Sequence, residues 1–449
     1  MTSSLTSRPF IAEDTPILPW DNGNPLLANV PLVPSLAETL YWLEEKYDSV
    51  DLTGLSPAEI VLRQCAHVHI PRAEEGAALR LSVAMVRDSL RDRDLRFPDY
   101  RDYVWASHNL LHRKRGTLGH NFPATYAIAP RAKSRGIVVA MPVRMGRTTF
   151  ANSVESFMYE YEADPQASPR AQNLTRAPVI TRVESPHGFA EHMQLKCLRM
   201  HWPVDGTPAG FTESFLGAFN NKFQTDYSST ERSPLFRGRY AVPSLCSLAA
   251  VSHLGLLIIE RVNYENVQSL HADTTWGIVG HFTKLTGIPV LIIITTGAAA
   301  YSLSHLPGVI GDLAPAGVIE IRPPKHWRDP HWIAICNSLF DATLGALDMG
   351  EMPAWLPQTA FEITWGYPSL LARALRSIAL FMLTVNTFTF DESIFRSYAT
   401  QACVLDSQHL NAIGIIRQKG VANPSRLWRH SDWLTFNELS LAYTVPTLN

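Results

Sequence analysis

Residues 135–153, RGIVVAMPVRMGRTTFANS, hold the side chains whose types and spacing point most directly to chemistry. A β-branched apolar run, Ile137-Val138-Val139-Ala140, leads into a loop at 141–145. Gly146-Arg147-Thr148-Thr149 then opens the amphipathic run 150–157. Strand, loop, then helix beginning on G-[basic]-T-T is the layout of a phosphate-binding loop. Backbone N–H groups at a helix N-terminus point at an anion, and the helix dipole adds to the attraction. A basic side chain reaches the outer phosphates and a hydroxyl holds Mg²⁺. Measured against G-x-x-x-x-G-K-[ST], Gly146 and Thr148 fit, Met141 stands where the first Gly belongs, and Arg147 stands where Lys belongs. Met adopts glycine's conformations only at a cost, and Arg carries its charge on a broader planar head. By itself the stretch reads equally as an ordinary strand-to-helix turn.

A second pattern lies downstream. The apolar run 254–259, LGLLII, ends in Glu260-Arg261. In P-loop NTPases such a strand ends in an Asp that orders Mg²⁺, commonly followed by a Glu that activates water. Here the first position is Glu260 and the second is Arg261. The next apolar run, 288–294, ends in Thr295-Thr296-Gly297, where a polar side chain would touch a γ-phosphate. The alternation of strands and helices predicts an α/β fold with a central parallel sheet and crossover helices. A ligand would sit at the carboxyl edge of that sheet.

The elements that must position these residues are legible along the chain. Residues 1–100 read as a Pro-rich arm followed by a helical region, with Ser56-Pro57-Ala58-Glu59 as a capped helix start. The α/β core spans 101–325, with a strand at 194–201 and helices at 211–223 and 242–251. Residues 326–420 read as a helical lid, with helices at 332–347, 361–363, 368–383 and 391–403. The tail 421–449 carries Trp428 and Trp433 and is either a partner-docking segment or a strap on the body.

Composition sets the outer limits. The 449 residues are 46% hydrophobic and 18% charged, which is globular rather than disordered. A net charge of −2 gives no global basic field, so any duplex DNA contact must come from local patches. The densest, LLHRKR at 110–115, is either a solvated helix end or a phosphate contact. Five scattered cysteines without C-x-x-C fit a reducing cytoplasm. The N-terminus lacks the pattern of a signal peptide, and the apolar run 288–294 is strand-length, so no membrane span is expected. His67-x-His69 has no third metal ligand placed by the sequence.

Taken together, residues 103–412 resemble the TnsC/TniB family of AAA+ ATPase transposition regulators. The resemblance is carried by Pro178-Val179-Ile180 and by QLKCLRMHWPVDG, with its Pro203 and Asp205-Gly206. LGLLIIERVN at 254–263 matches a family strand that usually ends Asp-Glu-Ile-Gln. Thr286-Gly287-Ile288-Pro289-Val290 and Trp365-Gly366-Tyr367 complete the set. The resemblance implies an AAA+ P-loop fold with a helical lid and ATP with Mg²⁺ as cofactors. It also implies a ring or filament on duplex DNA that links target-selection proteins to the transposase. Such an assembly is a homo-oligomer or a hetero-oligomer with an AAA+ paralogue. Carried over by position, Met141, Gly146, Arg147, Thr148 and Thr149 form the phosphate loop. Thr148 and Glu260 serve the metal, Thr296 is roughly the polar sensor, and Arg261 replaces the catalytic Glu. Arg144 also falls where the family commonly has Gly. A cation cannot act as the general base. The expectation is a degenerate pseudo-ATPase adaptor that binds nucleotide weakly or not at all. The alternatives are an active ATP hydrolase of the same family and a nucleotide-sensing switch in defence against mobile DNA.

Overall fold

A computed structural model gives the structure of the chain and describes residues 23–44, 51–111, 128–160, 176–185, 188–227, 233–315, 317–386, 389–419 and 427–440. The helices α1 (Leu36–Leu43), α2 (Pro57–Ala66), α3 (Ala73–Asp92) and α4 (Pro98–Leu111) precede the sheet. Strand β1 (Gly136–Ala140) leads into α5 (Arg147–Glu160), followed by β2 (Val179–Ser185), β3 (Gly188–Gln194), β4 (Cys197–His201) and α6 (Pro208–Phe223). Then come α7 (Ala241–Val251), β5 (Leu256–Val262), α8 (Ala272–Thr286), β6 (Val290–Ile294), α9 (Thr296–Ser302), α10 (Pro307–Leu313) and β7 (Val318–Glu320). A helical unit follows: α11 (Pro330–Asp341), α12 (Leu356–Thr364), α13 (Pro368–Val385), α14 (Glu392–Ala402) and α15 (Ser407–Lys419). A 3-10 turn (Trp428–Trp433) and α16 (Phe436–Ser440) close the described chain.

The sheet order is β4-β5-β6-β1-β7, and every pairing is parallel. All residues of β1 and β6 are buried, as central parallel strands require. Alternation along the strands divides the side chains between two layers. Ile137, Val139, Ile258, Leu291 and Ile293 meet Leu79, Val83, Phe150 and Val154 from α3 and α5. Val138, Leu257, Ile259, Ile292 and Ile294 meet Phe215, Trp276 and Phe282 from α6 and α8. The strand that carries the phosphate-loop sequence therefore lies mid-sheet, and the strand that carries Glu260 stands one strand away, beyond β6. This is the P-loop α/β architecture that the order of elements implies.

The helical unit has a separate core of Trp332, Cys336, Phe340, Leu371, Leu375 and Ile378, and α2 joins it through Val61 and Cys65. α13 is long and apolar enough to cross a membrane, by length and composition. Its Leu371, Ala374, Leu375, Ile378 and Ala379 are instead sealed within this core. α2 begins with the reciprocal cap that its sequence specifies, Ser56 with Glu59 and Pro57 at the first position. The antiparallel hairpin β2–β3 has no apolar alternation to announce it. Polar ties hold it: Asn29 Nδ2 donates to Thr181 Oγ1 (2.7 Å) and to Gln194 Oε1 (2.9 Å). Of the basic stretch 110–115, residues 112–115 lie outside the described residues, whereas Leu110 and Leu111 are buried.

One buried base gives the fold a pH dependence. His253, between α7 and β5, is fully buried at φ +46°. Its Nε2 lies 3.1 Å from Nδ1 of His192, and Tyr100 packs on the ring. Burial first, then the charges of His192 and Arg93, hold its pKa well below the ordinary histidine value. A base whose folded pKa is depressed contributes stability that is full above its unfolded pKa of about 6.5 and lost as pH falls below it. The urea midpoint should therefore drop between pH 7 and pH 5. His253→Asn, which tolerates positive φ, should flatten that slope; a variant with the wild-type slope would remove His253 as its source.

Candidate nucleotide site

The loop after β1 is built from two reversals. Met141 still belongs to the ladder: its N–H donates to the Ile294 carbonyl at 2.9 Å, and its side chain is fully buried. Met is accommodated because the left-handed turns fall later, at Arg144 (φ +66°) and Gly146 (φ +94°). At Gly146 a side chain would be strained whatever the space. Helix α5 then closes its first turn with Phe150 N–H on Gly146 O at 2.9 Å. Arg144 is tied to the helical unit while it lines the cavity beside the loop. Its Nη2 reaches Asp406 at 3.2 Å, and its carbonyl accepts Ser369 N–H. Arg373 of α13 pairs with the same Asp406 at 2.6 Å, so the loop is stitched to the helical unit. Thr148 is exposed. Thr149 faces a cavity of about 370 Å³ together with Met145 and Gly146.

The acid strand does not stop at Glu260. β5 runs on to Val262, which pairs with Ile294 past an irregularity between Ile259 and Val262. The extra residue is Arg261 at φ +60°. A bulge of this kind re-aims a side chain. Arg261 points to solvent, and Asn266 Nδ2 anchors its carbonyl at 2.8 Å. Glu260 points the other way and is buried. Its Oε1 accepts Arg199 Nη2 at 2.6 Å and Arg199 Nε at 2.9 Å, and lies 3.0 Å from His201 Nε2. Both partners come from β4, because His201 is in register with Glu260. Oε2 has no partner among the described residues. Arg147 Nη1 donates to the Val262 carbonyl at 3.2 Å. Burial lowers the Arg147 pKa, while Asp432 and then Glu260 oppose that shift. Gly146, Arg147 and Glu260 thus share one sheet edge, and Arg261 is directed out of it.

No local sequence pattern encodes what fills this edge. The 3-10 turn near the end of the chain lies across the crevice between β1, β5 and β6. The Asp432 carbonyl accepts Val143 N–H of the loop at 2.8 Å. The Asp432 carboxylate accepts Tyr264 N–H at 3.0 Å and the Thr295 hydroxyl. Burial raises the Asp432 pKa, while Thr295, Tyr264, Arg147 and the Ala298 N–H oppose that shift. Thr295, rather than Thr296, is the hydroxyl directed at the crevice; Thr296 Oγ1 is buried without a partner among the described residues. The turn is firmly seated. Trp428 stacks on Tyr264, Trp433 stacks on His409, the Tyr367 hydroxyl donates to the Trp433 carbonyl, and Arg417 pairs with Glu438 at 2.6 Å. Trp428 and Trp433 were the one signal in the sequence that this tail packs on something.

The cavity beside the loop is bounded by the segment 65–72, by α11 and by the start of α13. Ile70, Ile321, Ile335 and Leu339 give it an apolar wall, and Arg72, Arg144, Arg373 and Arg376 give it cationic ones. Arg72 Nε and His331 Nδ1 are buried without partners among the described residues. A largely polar, cation-lined cavity with an apolar wall and a helix N-terminus at one end suits a nucleotide's base and inner phosphates. The crevice past the loop does not suit a terminal phosphate with Mg²⁺. A carboxylate stands in the crevice, and Glu260 is already held by two basic side chains. Among the described residues no group of three or more His, Cys, Asp or Glu is placed to hold a metal.

No family model matches the chain, and no curated protein matches it. Among solved structures, a Walker-type ATPase of Pyrococcus abyssi superposes with a TM-score of 0.37 at 10% identity, over 73% of this chain and 78% of that one. The ORC2 protein of Aeropyrum pernix, in ADPNP–ADP complexes, gives a TM-score of 0.37 at 12% identity, over 79% of this chain and 88% of that one.

Proposed function

We propose that the chain is a non-hydrolysing AAA+-type protein that serves as an assembly adaptor in DNA transposition. In this role it joins target-selection proteins and transposase on duplex DNA, by itself or together with an active AAA+ paralogue. One observation carries the loss of hydrolysis: Glu260 is committed to Arg199 and His201, and Arg261 is turned out to solvent. The adaptor role rests on the sequence resemblance across 103–412 and on a sheet-and-lid scaffold that stays whole around the altered loop. A cytoplasmic setting is supported by five free, buried cysteines.

Assembly tests this reading. Electron microscopy of the purified chain with duplex DNA should show rings or filaments, formed alone or with a co-encoded AAA+ protein. Their formation should not require ATP. Light scattering after size exclusion should give a mass above the monomer in at least one of those mixtures. A strict monomer indifferent to DNA in every mixture would overturn the adaptor role.

A further inference from the structure

The crevice at the sheet edge is where an outer phosphate would meet the loop, and the chain has placed a carboxylate of its own there. We propose that Asp432 is a built-in surrogate for the terminal phosphate of a nucleotide. The cavity beside it would then accept a nucleoside diphosphate and discriminate against the triphosphate while the 427–440 segment is docked.

The donors held by the Asp432 carboxylate are ones that a terminal phosphate would use. The backbone carbonyl of Asp432 takes an N–H from the phosphate loop, while its carboxylate takes a hydroxyl from the end of β6 and an N–H from the loop after β5. It also faces the one basic side chain at the start of α5, Arg147. Phosphate and carboxylate are both anionic acceptors for charge-assisted hydrogen bonds, so the two compete for the same donors. The cavity reaches the loop at Met145, Gly146 and Thr149 and is not lined by Asp432; a third phosphate extending past the loop would meet that carboxylate, and like charges at close range are repelled. A diphosphate stops short of it. Gly146 and Thr149 line the cavity side of the loop, so the inner phosphates can still reach the α5 N-terminus. Close packing fixes the segment at Gly297, where an added Cβ would lie 2.6 Å from the carbonyl carbon and Cβ of Ser431.

The inference rests on the P-loop reading, and the experiment separates the two. ADP and ATP are titrated calorimetrically into full-length protein without Mg²⁺, using wild type, Asp432→Ser and Gly297→Val. Wild type should bind ADP about tenfold or more tightly than ATP. Asp432→Ser should remove most of that gap by strengthening ATP. Gly297→Val, which leaves the phosphate loop untouched, should do the same and should raise hydrogen exchange across 427–440. If Gly297→Val does not fold, Asp432→Ser still decides. Equal affinities in wild type, or a gap unchanged in Asp432→Ser, would overturn the surrogate while leaving the nucleotide site in place. Failure of all three proteins to bind either nucleotide would overturn the nucleotide site itself; the assembly test above would be untouched.

Discussion

Incubated with ATP and Mg²⁺, the purified chain is expected to release phosphate at least about a thousandfold more slowly than the roughly 10 per second typical of enzymes. Two separate features lead to this. Water attacking a phosphate needs an acceptor for its proton within hydrogen-bond reach. Arg261 cannot be that acceptor, being cationic, and its side chain leaves the site through a left-handed bulge. Two acids remain at the sheet edge: Glu260, whose Oε1 already faces Arg199 and His201, and Asp432, whose carboxylate is taken by Tyr264 N–H and the Thr295 hydroxyl. The chemistry therefore cannot be restored by identity alone. Arg261→Glu should stay as slow as wild type, because the new carboxylate would also point to solvent. A rate near one per second that disappears in Glu260→Ala would refute the reading. A rate gained in Arg261→Glu would refute the geometric part of it.

Arg199→Ala is expected to destabilise the fold by about 2–3 kcal/mol, read as a lower urea midpoint at unchanged slope. Glu260 is 1% exposed, and Arg199 contributes both of the close guanidinium contacts it receives. Removing the cation leaves a buried carboxylate insufficiently matched, which in buried pairs generally costs about 3–5 kcal/mol. The lower figure reflects His201 and the positive field of Arg147, which remain. The reverse change should cost less. In Glu260→Gln the Arg199 side chain keeps Glu155, at 3.7 Å, and Asn152. A larger loss in Glu260→Gln than in Arg199→Ala would mean that the acid, not the base, organises this cluster.

The sheet and its order were legible because its strands are written in one alphabet. Ile137-Val138-Val139, LGLLII and the run 288–294 are short and apolar on both faces, as strands buried in a parallel sheet are. The strand with Glu260, legible as the run 254–259, continues to Val262, because a positive-φ Arg ends an apolar pattern without ending the ladder. The hairpin β2–β3 was invisible for a related reason: Asn29, Thr181 and Gln194 hold it through hydrogen bonds made far apart in sequence. The candidate site was half legible. Gly146 and Arg147 announce themselves by spacing to their own helix. Asp432, Thr295 and Tyr264 meet only because the end of the chain returns to the sheet edge, and no local pattern encodes a contact across more than a hundred residues.

The segment that carries Asp432 is encoded after every element it touches. Translation therefore completes the loop, the acid strand and the lid before this turn leaves the ribosome, and only residues 420–426 separate it from α15. At roughly 5–20 residues per second, the crevice is open to solvent for about a second after the lid is made. The crevice is thus the last part of this edge to close: a chain made only as far as α15 leaves the Tyr264 N–H, the Thr295 hydroxyl and the Val143 N–H without the acceptors that the turn supplies.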